Sequence, residues 1–252
     1  MRVILLSLLL GMGTAWASEV KLKTSDGQQI AAIEGGKGTT GVLLVHDASR
    51  TKADWGLLRP RLEERGYRVL AIDLRGHGDS IELLDATEPD WSSMVHDLKA
   101  GVGRLRSRGA REIVIIGAGL GANLGMQLAS EDPTINSLIL LSPILQNKGF
   151  RISTTLDDIG ERPVLLAAGE QDSRAYNTVK FLDTKLEGPK RAVYLPGRDT
   201  GTRLLLEHPD LEDQIFTWLS GTYELSDVET PDGRIRLREP KAGETQGKRF
   251  GE

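Results

Sequence analysis

Apolar positions along the chain follow two periods. Residues 42–45, 67–73, 113–116, 137–142 and 163–168 are short, nearly continuous apolar runs, the pattern of strands covered on both faces. Between them lie longer segments of helical period. Residues 53–65 set Leu57, Leu58 and Leu62 along one side and stop at Gly66, and residues 91–108 follow Asp90 or Ser92 as a cap and stop at Gly109. Residues 172–186 and 209–219 read as further helices and 191–195 as a short strand. At the start, residues 19–24 alternate Val20 and Leu22 with charged neighbours, and Ser25-Asp26-Gly27 turns them into 28–34, a two-stranded ribbon. Strands alternating with helices predict an α/β fold: a mainly parallel, eight-stranded sheet with helices on both faces, preceded by the antiparallel ribbon.

The two ends break this pattern. Arg2, an apolar run over residues 3–10 and Ala15-Trp16-Ala17 have the layout of a secretory signal, so residues 1–17 are expected to be removed and the protein exported to the periplasm or secreted. The run is too short to span a bilayer stably, and no membrane span is expected after cleavage. Residues 18–220 form the expected single domain. Residues 221–252 are an extension, with a hairpin around Pro231-Asp232-Gly233 and a tail over 240–252 too poor in apolar residues to order itself.

Composition narrows the chemistry. The 252 residues carry a formal net charge of −4, and the basic residues form no broad surface for nucleic acid. With no cysteine there is neither a disulfide framework nor a thiolate ligand, and no histidine pair or acidic loop has metal spacing. No metal or other cofactor is expected.

One stretch concentrates the conformational signals. The β-branched run 113–116 ends in Gly117-Ala118-Gly119-Leu120-Gly121-Ala122 and continues as a helix. Gly117, Gly119 and Ala122 match a dinucleotide-binding turn, whereas Gly117 and Gly121 match a nucleophile elbow with Gly119 at the serine position. A dinucleotide turn follows the first strand of its domain and needs an acidic residue at the end of the next strand. Here about four strands precede it and the next one ends in Leu141-Ser142-Pro143, which favours the elbow.

Taken in order, the motifs resemble the α/β-hydrolase superfamily, and in particular its compact bacterial serine hydrolases, esterases and serine aminopeptidases with little or no lid. Residues 42–48 resemble the third strand and its oxyanion loop, RVLAIDLRGHGDS at 68–80 the fourth strand and its loop, and 113–125 the fifth strand and elbow. RPVLLAAGEQD at 162–172 resembles the seventh strand ending in the triad acid, and YLPGRDTGTRLL at 194–205 the eighth strand and histidine loop.

On the positions this resemblance supplies, the nucleophile place is Gly119, the acid place Asp172 and the histidine place Thr200. Glycine has no nucleophile, and a threonine hydroxyl is no general base near neutral pH. Asp172 has a second reading, as the cap of the helix that starts beside it. The backbone N–H groups of Leu120 and of Asp47 or Ala48 are the oxyanion-hole positions, with an acidic side chain at Asp47 that would oppose an anionic ligand. His46, His77, His96 and His208 read as structural. The expectation is therefore an exported α/β-hydrolase-fold protein without serine-hydrolase chemistry, holding a small acyl-type ligand or a protein partner. The alternatives are an ester or amide hydrolase with a non-standard site, for example water activated by Asp47 or Asp172, and a nucleotide-binding oxidoreductase.

Overall fold

The structure, a computed structural model, describes residues 17–83 and 90–221 together with the backbone of 227–229 and 235–237. Residues 1–16 of the leader expected over 1–17, and the tail expected over 240–252, lie outside the described residues. The main sheet contains β1 (Ser18–Lys23), β2 (Gln29–Gly35), β3 (Thr40–Val45), β4 (Arg68–Ile72), β5 (Glu112–Ala118), β6 (Ser137–Leu141), β9 (Val164–Gly169) and β10 (Lys190–Leu195). Its spatial order is β1-β2-β4-β3-β5-β6-β9-β10. β1 and β2 pair antiparallel, as do β2 and β4, and every later pairing is parallel. The expected sheet and ribbon are thus present.

The continuous apolar runs are explained by a core on each side of the sheet. Leu43 and Val45 of β3, Leu70 and Ile72 of β4, and Ile113 and Ile115 of β5 enter one core. It is closed by the helices α2 (Val95–Ser107), α3 (Leu120–Glu131) and α5 (Ser173–Lys185). The alternate residues Val42, Leu44, Val69, Ala71, Val114 and Ile116 enter the other, under α1 (Leu58–Glu64), α6 (Arg203–Glu207) and α7 (Asp210–Leu219). The apolar residues of β3, β4 and β5 are therefore buried whichever way they point, and the period-two signal disappears from their sequence.

Three differences from the sequence reading have local causes. The helix expected over 53–65 is two pieces, a 3-10 turn Lys52–Trp55 and α1, because Trp55 turns fully inward while Leu57 stays exposed. The segment 144–161 is not a plain connection. It folds as a hairpin of β7 (Gln146–Asn147) and β8 (Phe150–Arg151) followed by α4 (Leu156–Ile159), with Ile152 and Ile159 joining the core beneath α3. α6 was also not foreseen; only Leu204 and Leu205 of its five residues are buried, too short a pattern to show a period. Near the C-terminus, β11 (Asp227–Glu229) and β12 (Ile235–Leu237) pair antiparallel, and the turn expected at Pro231-Asp232-Gly233 lies outside the described residues.

Candidate functional site

The expected triad and oxyanion positions follow the C-terminal ends of β3, β5, β9 and β10, at one end of the parallel sheet. That end is where open α/β sheets hold ligands. The turn after β5 is tight. A side chain at Gly117 would collide with the carbonyl of Gly121, and one at Gly121 with that of Val45, so β3, β5 and α3 come together only because both are glycine. Gly119 itself has φ 50° and ψ −112°, an elbow conformation that carries its missing side chain outward from that end of the sheet. Its N–H donates to Leu141 O (2.9 Å), which fixes the elbow to β6.

The space a side chain at Gly119 would take is filled. A Cβ there would fall within the carboxylate of Asp47. The same carboxylate binds both expected oxyanion donors: Leu120 N donates to Asp47 Oδ1 at 2.6 Å and Ala48 N to the same oxygen at 2.7 Å. Of the two alternatives for the second donor, Ala48 N is the one that binds this carboxylate, and the Asp47 side chain, whose direction could not be read from position alone, turns onto both N–H groups. Burial pushes the Asp47 carboxyl above the usual carboxylate range, while the two N–H groups pull it back.

His46 sets the backbone of that loop. Leu74 N donates to His46 Nε2 (3.0 Å), so Nε2 is the bare nitrogen and Nδ1–H donates to Asp47 O at 2.7 Å. Both ring nitrogens are committed and the ring is fully buried, a structural role as expected. Burial is the main cause that lowers its pKa to about 4. A folded-state value below the ordinary one means that the protonated ring is the disfavoured species. The contribution is intact above pH 6.5 and is lost as pH falls towards 4. Between pH 7 and pH 5 the loss is about 2 kcal/mol. Denaturant titrations at the two pH values should show this difference, and His46→Asn should remove most of it.

The other two triad places lie on adjoining loops. Asp172 Oδ1 accepts from Ala175 N (3.2 Å) and caps α5, which is the second of its two sequence readings. Glu170 N donates to Leu195 O and Gln171 N to Gly197 O, so the loop after β9 is tied to the loop after β10. Thr200 is exposed on that second loop, and its carbonyl accepts from Arg203 N (3.2 Å). Asp199, one residue earlier, faces Arg203 at 3.5 Å. A Cβ at Gly201 would lie 3.6 Å from that of Ala118, beside the elbow. The loops after β9 and β10 are therefore tied together, and the residues standing at the three positions expected from the resemblance are Gly119, Asp172 and Thr200.

Sequence reasoning missed Ser142. It is fully buried, adopts φ 52°, and its Oγ accepts from Gly201 N at 2.9 Å, while Ser142 N donates to Ala167 O. This side chain connects the end of β6 to the loop of Thr200. The strand-ending Ser142-Pro143 pair was visible in the sequence, but its long-range partner was not.

Near the site, Asp73 accepts from Lys52 N (2.7 Å), Lys52 Nζ (2.6 Å) and Asp79 N (2.9 Å), joining the loops that follow β3 and β4. Among the described residues no group of three or more His, Cys, Asp or Glu is arranged to hold a metal ion. A separate groove of about 280 Å³ is lined by Val95, His96, Lys99, Glu131, Lys148 and Phe150 among others, and by none of the elbow residues.

Comparison with known proteins agrees with this geometry. The chain is 32% identical over 103 residues to a thermostable monoacylglycerol lipase of a Bacillus species, and 33% identical over 108 residues to a carboxylesterase of Bacillus subtilis. These matches cover 40% and 42% of this chain and only 40% and 43% of those relatives. An esterase of Pyrococcus furiosus superposes with a TM-score of 0.70 at 18% identity, covering 82% of this chain and 90% of that one. An esterase of Exiguobacterium antarcticum gives 0.67 at 14%, covering 79% and 98%. A model of the alpha/beta hydrolase family matches residues 42–234. By fold, motif order and this match, the chain belongs to the alpha/beta hydrolase family.

Proposed function

We propose that this chain is a non-hydrolysing member of its family, a protein in which the acyl-transfer site has become a closed structural element. The observation that carries this reading is at the elbow: Gly119 stands at the nucleophile place and the Asp47 carboxylate fills the volume a side chain would need. Serine-type acyl transfer needs an activated oxygen on the elbow, an imidazole to take its proton and an empty oxyanion hole. Thr200 supplies no imidazole, and the two hole donors are already engaged. Export as a mature protein beginning at Ser18 goes with this reading. β1 starts at Ser18, so loss of residues 1–17 would remove no strand residue. A binding role towards a ligand or protein partner would then use surfaces away from the elbow.

A second reading, ester or amide hydrolysis by a non-standard site, is favoured by the relatives, whose names include lipase, carboxylesterase and pyrethroid hydrolase. Purified mature protein assayed with p-nitrophenyl acetate and butyrate discriminates the two. The expected result is no turnover above buffer, unchanged in Asp172→Ala. Turnover that copurifies with the protein and is lost in Asp47→Asn or Asp172→Ala would establish the second reading.

A further inference from the structure

The two N–H groups that hold Asp47 converge on one oxygen. Leu120 N belongs to the first turn of the twelve-residue helix α3, and Ala48 N to the separate loop after β3. Two donors from different elements, at 2.6 and 2.7 Å from the same anionic atom, form a built site for an oxyanion, preorganised by the backbone and reinforced by the positive end of a helix. Asp47 Oδ1 stands where a ligand's oxyanion would stand. The loop that presents it is held by the buried His46 through Nδ1–H to Asp47 O.

We propose that the oxyanion hole is intact and blocked by its own chain, with Asp47 acting as an intramolecular carboxylate ligand, so that the latent site takes small monocarboxylates once Asp47 is removed. The proposal deepens the non-hydrolysing reading and rests on it. A tethered carboxylate competes at an effective concentration in the millimolar range or above, so apparent affinity for an external one falls by a factor of about ten or more. The opposed charge acts in the same direction. An amide in place of the carboxylate keeps an oxygen on both donors, so Asp47→Asn remains blocked, whereas Asp47→Ala opens the hole.

The test is a titration of sodium butyrate into the wild type, Asp47→Ala and Asp47→Asn, read from the backbone amide resonances of Leu120 and Ala48. Saturable shifts of both amides in Asp47→Ala, at least about tenfold weaker or missing in the wild type and in Asp47→Asn, are expected. Equal binding by the wild type and Asp47→Ala, or a folded Asp47→Ala in which neither amide responds, would overturn the proposal. Should Asp47→Ala not fold, the wild type still decides it. Blocked donors require the Leu120 and Ala48 amides to be protected from solvent exchange and to shift with titration of the Asp47 carboxyl, and rapid exchange of either overturns the block. Ester turnover by the wild type would defeat the non-hydrolysing reading while leaving the butyrate result to stand or fall separately.

Discussion

Gly119→Ser, the substitution that restores the serine of the elbow, should destabilise the protein by about 3 kcal/mol and give no esterase. A non-glycine residue at φ 50° is strained by roughly 1–2 kcal/mol. The new Cβ also displaces the Asp47 carboxylate, and two buried N–H groups lose their anionic partner at about 1–3 kcal/mol. The second part should vanish when Asp47 is shortened at the same time. Gly119→Ser with Asp47→Gly is expected to recover about 1–2 kcal/mol relative to the sum of the single changes, the sign of two residues competing for one volume. Denaturant melts of the four proteins complete the cycle. Rebuilding a working site would accordingly take three changes, with Thr200→His added, because triad members act as a unit and the hole must be vacant.

A loss of about 3–5 kcal/mol is expected from Asp97→Ala, the largest effect of any single substitution considered. Asp97 is fully buried on α2 and accepts from Arg75 N (2.9 Å), Nε (2.9 Å) and Nη2 (2.7 Å). Arg75, itself buried, reaches Asp26 in the β1–β2 turn with Nη1 (2.6 Å) and Nη2 (3.1 Å). The guanidinium thus fastens the N-terminal ribbon to α2 beneath the loop that follows β4, and it holds the Asp26 carboxyl well below the usual carboxylate range. Removing Asp97 leaves a buried cation with only the half-exposed Asp26 for company. Thermal and urea unfolding of Asp97→Ala, compared with Asp26→Ala, should show the former as clearly the more damaging.

The fold was legible because its signals are local and mutually consistent. Continuous apolar runs 42–45 and 113–116, helix stops at Gly66 and Gly109, and the turn at Ser25-Asp26-Gly27 each specify one element, and their order specifies the sheet. The glycine at 119 and the threonine at 200 are equally legible, and the resemblance of their surrounding motifs is what marks them as the expected nucleophile and histidine places. What fills a vacated site is a matter of side-chain direction. Asp47 was recognisable as an unusual acid in the oxyanion loop, but whether it pointed to solvent or into the hole depended on the backbone that His46 and Leu74 set from 28 residues apart. Ser142 was hidden for the same reason: its partner Gly201 is 59 residues away. The Arg75–Asp97 pair is likewise invisible in the sequence, where its two residues stand 22 positions apart.

In the non-hydrolysing reading proposed above, Gly119 offers no nucleophile and no other residue replaces it. Incubation of the mature protein with excess fluorophosphonate, followed by measurement of its intact mass, is the decisive experiment. The mass should stay unchanged, and likewise for Asp47→Ala, in which the hole is open but Gly119 still offers no oxygen. A stoichiometric phosphonyl adduct that maps to a serine or threonine of this site, such as Ser142 or Thr200, would contradict it.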